Sequence, residues 1–213
     1  MASKPGKRRA YHHGDLERAL IDASLQVIAR VGPEDFTLRD IARRVGVAPS
    51  APYRHFPDKD ALLAAVAAEC AKRLGDAMDA AAAAAGPDIL DQFRAAGIAY
   101  VRFAVENPAH FRVMNMPSIA EREPMRAGVG EWMETKLAQL REVQKRCELA
   151  DFPLDEILLA TRAMTYGLSR LIVDAQDGLG GLDARRAVKL AESVTNILGL
   201  GLLPRTRDEA APR

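Results

Sequence analysis

Apolar residues recur at helical spacing along most of the chain, whereas strand-like alternation is scarce. The pattern predicts amphipathic helices over roughly 15–31, 38–45, 58–85, 88–105, 125–150, 155–175 and 183–202. Between the fourth and fifth of them lie a shorter helical segment, 109–116, and a proline-bounded loop, 117–124. Gly32-Pro33 and Gly86-Pro87 mark two of the breaks. The predicted fold class is therefore all-α.

Two further features of the pattern concern burial. In the first helix, Leu16, Leu20, Ala23, Val27 and Val31 form the stripe that we expect to be buried. The helix predicted over 155–175 is apolar on more than one side. We expect such a helix to be covered on both sides.

The segment 36–56, with the sequence FTLRDIARRVGVAPSAPYRHF, contains two short helix-like stretches on either side of Gly46. Thr37 and Asp40 have the spacing of a capping box, and Gly46 can adopt the positive φ that ends a helix. Pro49 suits the first turn of a second helix. That second stretch also contains residues able to hydrogen-bond to DNA: Ser50, Tyr53, Arg54 and His55. Two helices joined by a tight glycine turn predict a helix-turn-helix, which presents its second helix to a major groove.

This segment resembles the TetR family of bacterial transcriptional repressors. The resemblance rests on Phe36-Thr37-Leu38-Arg39-Asp40-Ile41-Ala42, Gly46-Val47, Tyr53-Arg54-His55-Phe56 and Asp58-Lys59-Asp60-Ala61-Leu62. It covers about the first 75 residues by motif and the remainder by layout. It implies a flexible basic arm (1–13), an N-terminal three-helix DNA-binding domain (14–75), a C-terminal helical domain for ligand binding and dimerisation (76–204), and a tail (205–213).

Two residues depart from the family pattern. Ala48 stands where the family usually has a Ser or Thr helix cap, at a cost of about 1 kcal/mol. Pro52 stands where a leucine usually packs the second helix onto the helix before it, and it cannot donate a backbone hydrogen bond. We therefore expect a short recognition helix steadied by Tyr53 and Phe56.

The resemblance also implies which residues contact DNA. The expected set is Arg39, Arg43, Pro49, Ser50, Ala51, Tyr53, Arg54, His55 and Lys59. Tyr53 is expected to contact a phosphate, and Lys59 adds charge at a helix N-terminus, which favours anions. Arg54 could bind a guanine or a phosphate. Arg39, Arg43 and Arg44 could reach phosphates, although a solvated face is the alternative for at least one of them.

The distribution of charge agrees with a DNA-binding N-terminal part. The whole chain carries a net charge of +1, but residues 1–73 carry +4 and residues 74–213 carry −3. A basic head on an acidic body suits a protein with one end facing phosphates. The clustered Lys4, Lys7, Arg8 and Arg9 suit either a solvated tail or an arm that enters the minor groove.

Other features bear on location. Cys70 and Cys147 are isolated thiols without the spacing of metal ligands, and we find neither a secretory signal nor a membrane-spanning apolar run. These features predict a cytoplasmic protein.

The C-terminal part contains a loose set of soft and aromatic residues that could line an effector pocket. The candidates are Phe103, Phe111, Met114, Trp132, Met133, Arg162 and Tyr166. Ordinary core packing is the alternative for the apolar members. Arg162 would need an anionic partner if it faced inward, and otherwise it is solvated or paired within the chain.

Together these features predict a homodimeric repressor. It would bind a palindromic double-stranded DNA operator, dimerise through the helices near 155–175 and 183–202, and be released by a small, apolar effector. Motifs for catalysis, a cofactor or a metal are not found in the sequence, so no enzyme is predicted. Two other classes stay open: an architectural DNA-binding protein without an effector, and a helical small-molecule-binding protein or enzyme with a vestigial head.

Overall fold

A computed structural model describes residues 13–120, 125–146, 152–174 and 181–202. Over these residues the chain forms nine α-helices and one 3-10 helix, with no strand, so the predicted all-α fold is confirmed. The helices are α1 (His13–Val31), α2 (Leu38–Val45), the 3-10 turn (Pro52–Arg54), α3 (Lys59–Ala84), α4 (Ile89–Glu106), α5 (Pro108–Met114), α6 (Pro117–Ala120), α7 (Met125–Lys145), α8 (Leu154–Val173) and α9 (Ala184–Leu202). The predicted basic arm and C-terminal tail lie outside the described residues, except that α1 begins at His13.

The predicted boundaries differ from the observed ones in three places. The second helix of the motif does not begin at Pro49, because only the 3-10 turn forms there. The segment predicted as a loop after residue 116 contains the helical turn α6, in which Ile119 N–H donates to the Met116 carbonyl at 2.9 Å. Proline is favoured at the first position of a helix, which explains why α6 begins at Pro117. Helix α7 ends at Lys145, before the predicted 150.

The chain divides into two compact units. Unit 1 comprises Met1–Cys70 and Ala109–Arg122, and unit 2 comprises Ala71–Pro108 and Glu123–Arg213. Unit 1 therefore contains the helix-turn-helix segment together with α5 and α6 from the middle of the chain. The first break, after Cys70, lies close to the boundary predicted near residue 75, but the return of α5 and α6 to unit 1 was not predicted.

The core of unit 1 includes apolar residues of α1, α2 and α3. They are Leu20, Ala23, Leu25 and Ile28 on α1, Leu38, Ile41 and Ala42 on α2, and Leu62, Leu63 and Val66 on α3. The stripe predicted for α1 was wrong at its end, since Val31 is 47% exposed. Ile28 is buried instead, because residues 20, 24 and 28 follow one another at four-residue spacing on one face.

In unit 2, α4 packs against both α8 and α9. One core cluster joins Val101 of α4 with Leu168 and Ile172 of α8 and with Ala187 and Ala191 of α9. A second cluster joins Leu140 and Val143 of α7 with Ile157 and Leu158 of α8. Helices α4 and α8 approach closely at Gly97, where an added Cβ would lie 3.4 Å from the Thr165 methyl group.

Helix α8 has apolar residues on its buried and exposed sides, as its pattern predicts. Ile157, Leu158, Leu168 and Ile172 are buried, whereas Leu159 is 64% exposed and Tyr166 is 37% exposed. Within the described ranges, none of the helices combines the length and apolar character needed to cross a bilayer.

Candidate nucleic-acid interface

The N-terminus of α2 is closed by the capping box that the sequence predicts. The Thr37 hydroxyl oxygen accepts the Asp40 N–H at 3.2 Å, and the Asp40 carboxylate accepts the Thr37 N–H at 2.9 Å. The Thr37 hydroxyl also donates to the same carboxylate oxygen at 2.7 Å. These contacts satisfy backbone donors that a helix N-terminus otherwise leaves unpaired. The start of α2 is therefore fixed by its own sequence.

The same hydrogen bonds act on the ionisation of Asp40. The hydroxyl and then the backbone N–H of Thr37 stabilise the carboxylate, and the guanidinium of Arg43 adds a smaller effect, so the pKa of Asp40 is lowered. Asp40 also receives an ion pair from Arg43, whose Nη2 lies 2.7 Å from Oδ1. The capping group is consequently ionised at neutral pH.

The C-terminus of α2 is closed at Gly46, which has a φ of 81°. Its N–H donates to the Arg43 carbonyl at 3.3 Å, and the Val47 N–H donates to the Ala42 carbonyl at 3.0 Å. This pair of bonds is the Schellman arrangement, which needs a residue in the left-handed region. Glycine adopts that region without a Cβ penalty, so Gly46 sets the direction in which the chain leaves α2.

Beyond Gly46 the chain forms turns instead of an α-helix. Pro52 lacks an N–H and cannot donate to a carbonyl of the preceding turn. Hydrogen bonds between residues three apart predominate here, beside one between residues four apart, from the Phe56 N–H to the Pro52 carbonyl at 2.9 Å. The Arg54 N–H donates to the Ala51 carbonyl at 3.2 Å, and the His55 N–H donates to the Pro52 carbonyl at 2.9 Å. Pro52 is itself buried. Its ring therefore occupies the inward position where the TetR family usually has a leucine.

The short 3-10 turn leaves its polar side chains facing outward. Tyr53 is 48% exposed, and the other exposed members of the predicted DNA-binding set are Arg39, Arg43, Pro49, Ser50 and Arg54. Ala51 is half-buried. His55 turns inward instead: only 10% of its side chain is exposed, and its Nδ1 lies 3.7 Å from the Glu17 carboxylate of α1. His55 thus connects the turn to α1.

Lys59, the first residue of α3, lies against the connector between α1 and α2. Its Nζ donates to the Glu34 carbonyl at 2.6 Å and lies 4.7 Å from the centroid of the Phe36 ring. Phe36 is buried, with 4% of its surface exposed. In the sequence, Phe36 is recognisable only as part of a motif, and its contact with Lys59 was not predicted.

Polar contacts also join α1 to the other two helices of the helix-turn-helix part. Arg18 donates to both carboxylate oxygens of Glu69 on α3, each at 3.0 Å, and to Asp22 at 3.2 Å. Arg44 donates to the Gln26 side-chain oxygen at 2.8 Å. A paired carboxylate favours the charged form of arginine, and the pKa of Arg18 is raised accordingly, first by Glu69 and then by Asp22. Arg44 is therefore engaged with α1 through Gln26.

The predicted ligand-binding residues fall in different units. Phe111 and Met114 are buried residues of α5 and belong to unit 1, whereas Phe103, Arg162 and Tyr166 belong to unit 2. Arg162 is exposed on α8. The side chains of Trp132 and Met133 lie outside the described part of the structure. The predicted ligand-binding site therefore stays a prediction.

Two features of unit 2 were not anticipated. Tyr100, half-buried on α4, has its pKa raised to about 12, mainly by burial and further by Tyr166, while the charge of Arg162 opposes the rise. Separately, a groove of about 580 Å³ is lined by residues of α7 and the start of α8: Leu137, Arg141, Gln144, Phe152, Pro153, Leu154 and Asp155. Both features depend on contacts between helices, which the sequence pattern did not reveal.

Comparison with known proteins identifies the family. Residues 20–66 match a family profile described as bacterial regulatory proteins, tetR family, and residues 93–193 match one described as tetracyclin repressor-like, C-terminal domain. The chain belongs to the TetR family. The predicted resemblance is thereby confirmed, and membership makes this chain a DNA-binding transcriptional regulator.

Individual TetR relatives are similar over different lengths. The nucleoid occlusion factor SlmA of Vibrio vulnificus is 28% identical over 141 residues, which are 62% of this chain and 69% of SlmA. The regulator BetI of Escherichia coli is 43% identical over 61 residues, 29% of this chain and 31% of BetI. A solved structure of a protein of unknown function from Rhodococcus sp. RHA1 matches with a TM-score of 0.74 and 26% identity, covering 92% of this chain and all of that one.

Proposed function

We propose that the chain is a cytoplasmic, homodimeric transcriptional repressor that binds a palindromic DNA operator and is released by a small, apolar effector. One observation carries the DNA-binding part of this proposal. Tyr53 and Arg54 are exposed in the 3-10 turn that follows α2, a helix whose two ends are both capped. A rigidly positioned turn with exposed hydrogen-bond donors is what a major groove can accept.

The proposed contacts follow from exposure. Tyr53 would donate its hydroxyl to a phosphate, and Arg54 would meet either a guanine or a phosphate. Pro49, Ser50 and Ala51 would lie next to base edges. The exposed Arg39 and Arg43 would approach neighbouring phosphates, with Asp40 holding Arg43 in place. His55, which contacts Glu17, would support the turn.

The proposed dimer would form through α8 and α9. Leu159 and Tyr166 on α8 and Ile197 on α9, which is 68% exposed, present large apolar surfaces to solvent in the single chain. A two-fold dimer would place two 3-10 turns toward successive major grooves, about 34 Å apart. We expect Leu159→Asp with Ile197→Asp to give a monomer in sedimentation equilibrium. Val31→Asp, on a similarly exposed valine of α1, is the control and should remain a dimer.

The effector part of the proposal rests on the unit 2 residues Phe103, Arg162 and Tyr166, with Phe111, Met114, Trp132 and Met133 as the remaining candidates. Effector binding would favour a conformation that no longer fits the operator, and it would weaken DNA binding only by its preference for that state. Trp132 is the single tryptophan, so its fluorescence reports binding at this site. A panel of apolar ligands that left both this signal and the DNA affinity unchanged would contradict the effector proposal.

The deciding experiment for DNA binding is fluorescence anisotropy with DNA that flanks the protein's own gene, beside a shuffled duplex of equal composition. At near-physiological salt we expect a preference of roughly a thousandfold or more for the flanking DNA. Arg54→Ala should reduce this preference, whereas Arg102→Ala, which removes an exposed guanidinium from α4, should leave it unchanged. Equal effects of the two substitutions would contradict the assignment of the 3-10 turn to DNA.

The similarity to SlmA, a nucleoid occlusion factor, favours the second candidate named above, an architectural DNA-binding protein. This candidate predicts comparable binding to the flanking and shuffled duplexes, with a steep loss of affinity as salt rises. The same anisotropy experiment therefore separates the two candidates.

A further inference from the structure

The ammonium of Lys59 is held at a fixed place by two different kinds of contact. The Glu34 carbonyl accepts one N–H at 2.6 Å, and the Phe36 ring lies 4.7 Å below the nitrogen. A cation over an aromatic face is attracted by the negative charge density of the ring. A lysine side chain normally samples many rotamers, so these two contacts restrict the position of its charge.

The parts that hold Lys59 are themselves fixed. Phe36 is 4% exposed, and it directly precedes Thr37, whose capping contacts anchor the start of α2. Lys59 begins α3. Through Phe36, the Lys59 ammonium is thus connected to the N-terminus of α2, the helix that precedes the 3-10 turn. Lys59 remains half-buried, so part of the residue still meets solvent.

The charges around the N-terminus of α3 explain why the position of the Lys59 ammonium matters there. Asp58 accepts the Ala61 N–H at 2.7 Å, and Asp60 lies in the first helical turn. These two carboxylates oppose the attraction that a bare helix N-terminus exerts on an anion. The ammonium of Lys59 is therefore the group at this end of α3 that can attract a phosphate.

We propose that Phe36 is a positioning residue for DNA binding: with the Glu34 carbonyl, it holds the Lys59 ammonium so that a remaining N–H meets a DNA phosphate. An ammonium has three donors, and the Glu34 carbonyl uses one of them. Because the side chain is ordered before DNA arrives, binding does not have to restrict it. The inference rests on the proposed DNA-binding function and assigns to a buried core residue a part in it.

The test replaces Phe36 in the full-length protein by mono-, di- and trifluorophenylalanine. Fluorine withdraws charge from the ring face while changing its size little, so the series weakens the cation–π contact and largely preserves packing. We expect operator affinity to fall stepwise, by roughly three- to tenfold in total, with little change in the melting temperature. The same series at Phe93 of α4, which packs against the cluster formed by α7 and α8, is the control and should leave affinity unchanged.

A double-substitution cycle tells positioning from packing. In a Lys59→Met background, fluorination of Phe36 should no longer change DNA affinity, because no charge is left to position. Lys59→Met alone should also reduce the slope of log affinity against log salt by about one phosphate contact per protomer, and so by about two in the proposed dimer. A fluorination effect that persists in Lys59→Met, an equal effect at Phe93, or an unchanged salt slope would each overturn the inference.

The outcomes also separate this inference from the proposed function. If the wild-type protein binds flanking and shuffled duplexes equally, the operator proposal fails, and the Phe36 series is read on either duplex. If operator binding is specific but insensitive to fluorination, only the positioning role of Phe36 fails. Absence of all DNA binding by the wild-type protein would overturn both.

Discussion

Replacing Gly46 by alanine tests whether the left-handed residue after α2 controls the stability of the helix-turn-helix part. An added Cβ at Gly46 meets nothing within 4 Å, so steric collision with neighbours does not contribute. The cost arises from the backbone alone, because alanine must adopt a φ of 81°. Left-handed backbone costs an L-residue about 1–2 kcal/mol, and we expect Gly46→Ala to destabilise the protein by that amount.

Two further substitutions make the prediction specific. Gly46→Asn should lose less than Gly46→Ala, since asparagine tolerates the left-handed region better than other L-residues. Gly75→Ala is the matched control, because Gly75 lies inside α3, has nothing within 4 Å of an added Cβ and is free of the positive φ. Removing a glycine from a helix interior should stabilise the protein by up to about 1 kcal/mol.

The measurement is urea unfolding followed by circular dichroism, at one fixed protein concentration because a dimer's stability depends on it. The expected order of stability is Gly75→Ala, wild type, Gly46→Asn, Gly46→Ala. If Gly46→Ala were as stable as the wild type, the bonds from Gly46 and Val47 to the carbonyls of α2 would not require the observed backbone conformation.

Three other predictions concern α2 and α4. Thr37→Ala should cost about 1 kcal/mol of unfolding free energy through loss of the cap, and an unchanged urea midpoint would contradict it. The pKa of Asp40 is lowered in the fold, so the Asp40 carboxylate should stabilise the protein at neutral pH and lose this effect as acid protonates it. Asp40→Asn should lack this part of the acid dependence of the unfolding free energy. The pKa of Tyr100 is raised to about 12, so the stability of the wild type relative to Tyr100→Phe should be constant below pH 10 and fall by about 2–3 kcal/mol as the pH rises toward 12. Parallel alkaline unfolding curves for the two proteins would argue against a buried, neutral Tyr100.

Sequence predicts best those features whose partners are close in the chain. The bounds of α2, its capping box and its terminating glycine were all predicted, because each depends on residues within a few positions of one another. The TetR family and the all-α fold followed from the same segment and from the helical spacing of apolar residues.

Other features depend on tertiary contacts and were missed or only partly predicted. A short recognition helix was expected from Pro52, but its reduction to a 3-10 turn, with the proline ring buried, was not. Lys59 and Glu34 are twenty-five residues apart, and no local pattern predicts their hydrogen bond. The predicted ligand-binding set stays a prediction, because residues that share a chemical type can belong to different compact units.

The division of unit 1 between two stretches of chain bears on any attempt to exchange heads between TetR regulators. A graft that ends at Cys70 would transfer α1, α2 and most of the first half of α3, but it would leave behind α5 and α6. Those helices contribute Phe111, Val113 and Ile119, each almost completely buried. A chimera joined at a single point would thus combine a transplanted head with two helices selected for a different one. To exchange specificity in this protein, two stretches of chain must be replaced together: the one that ends at Cys70 and residues 109–122.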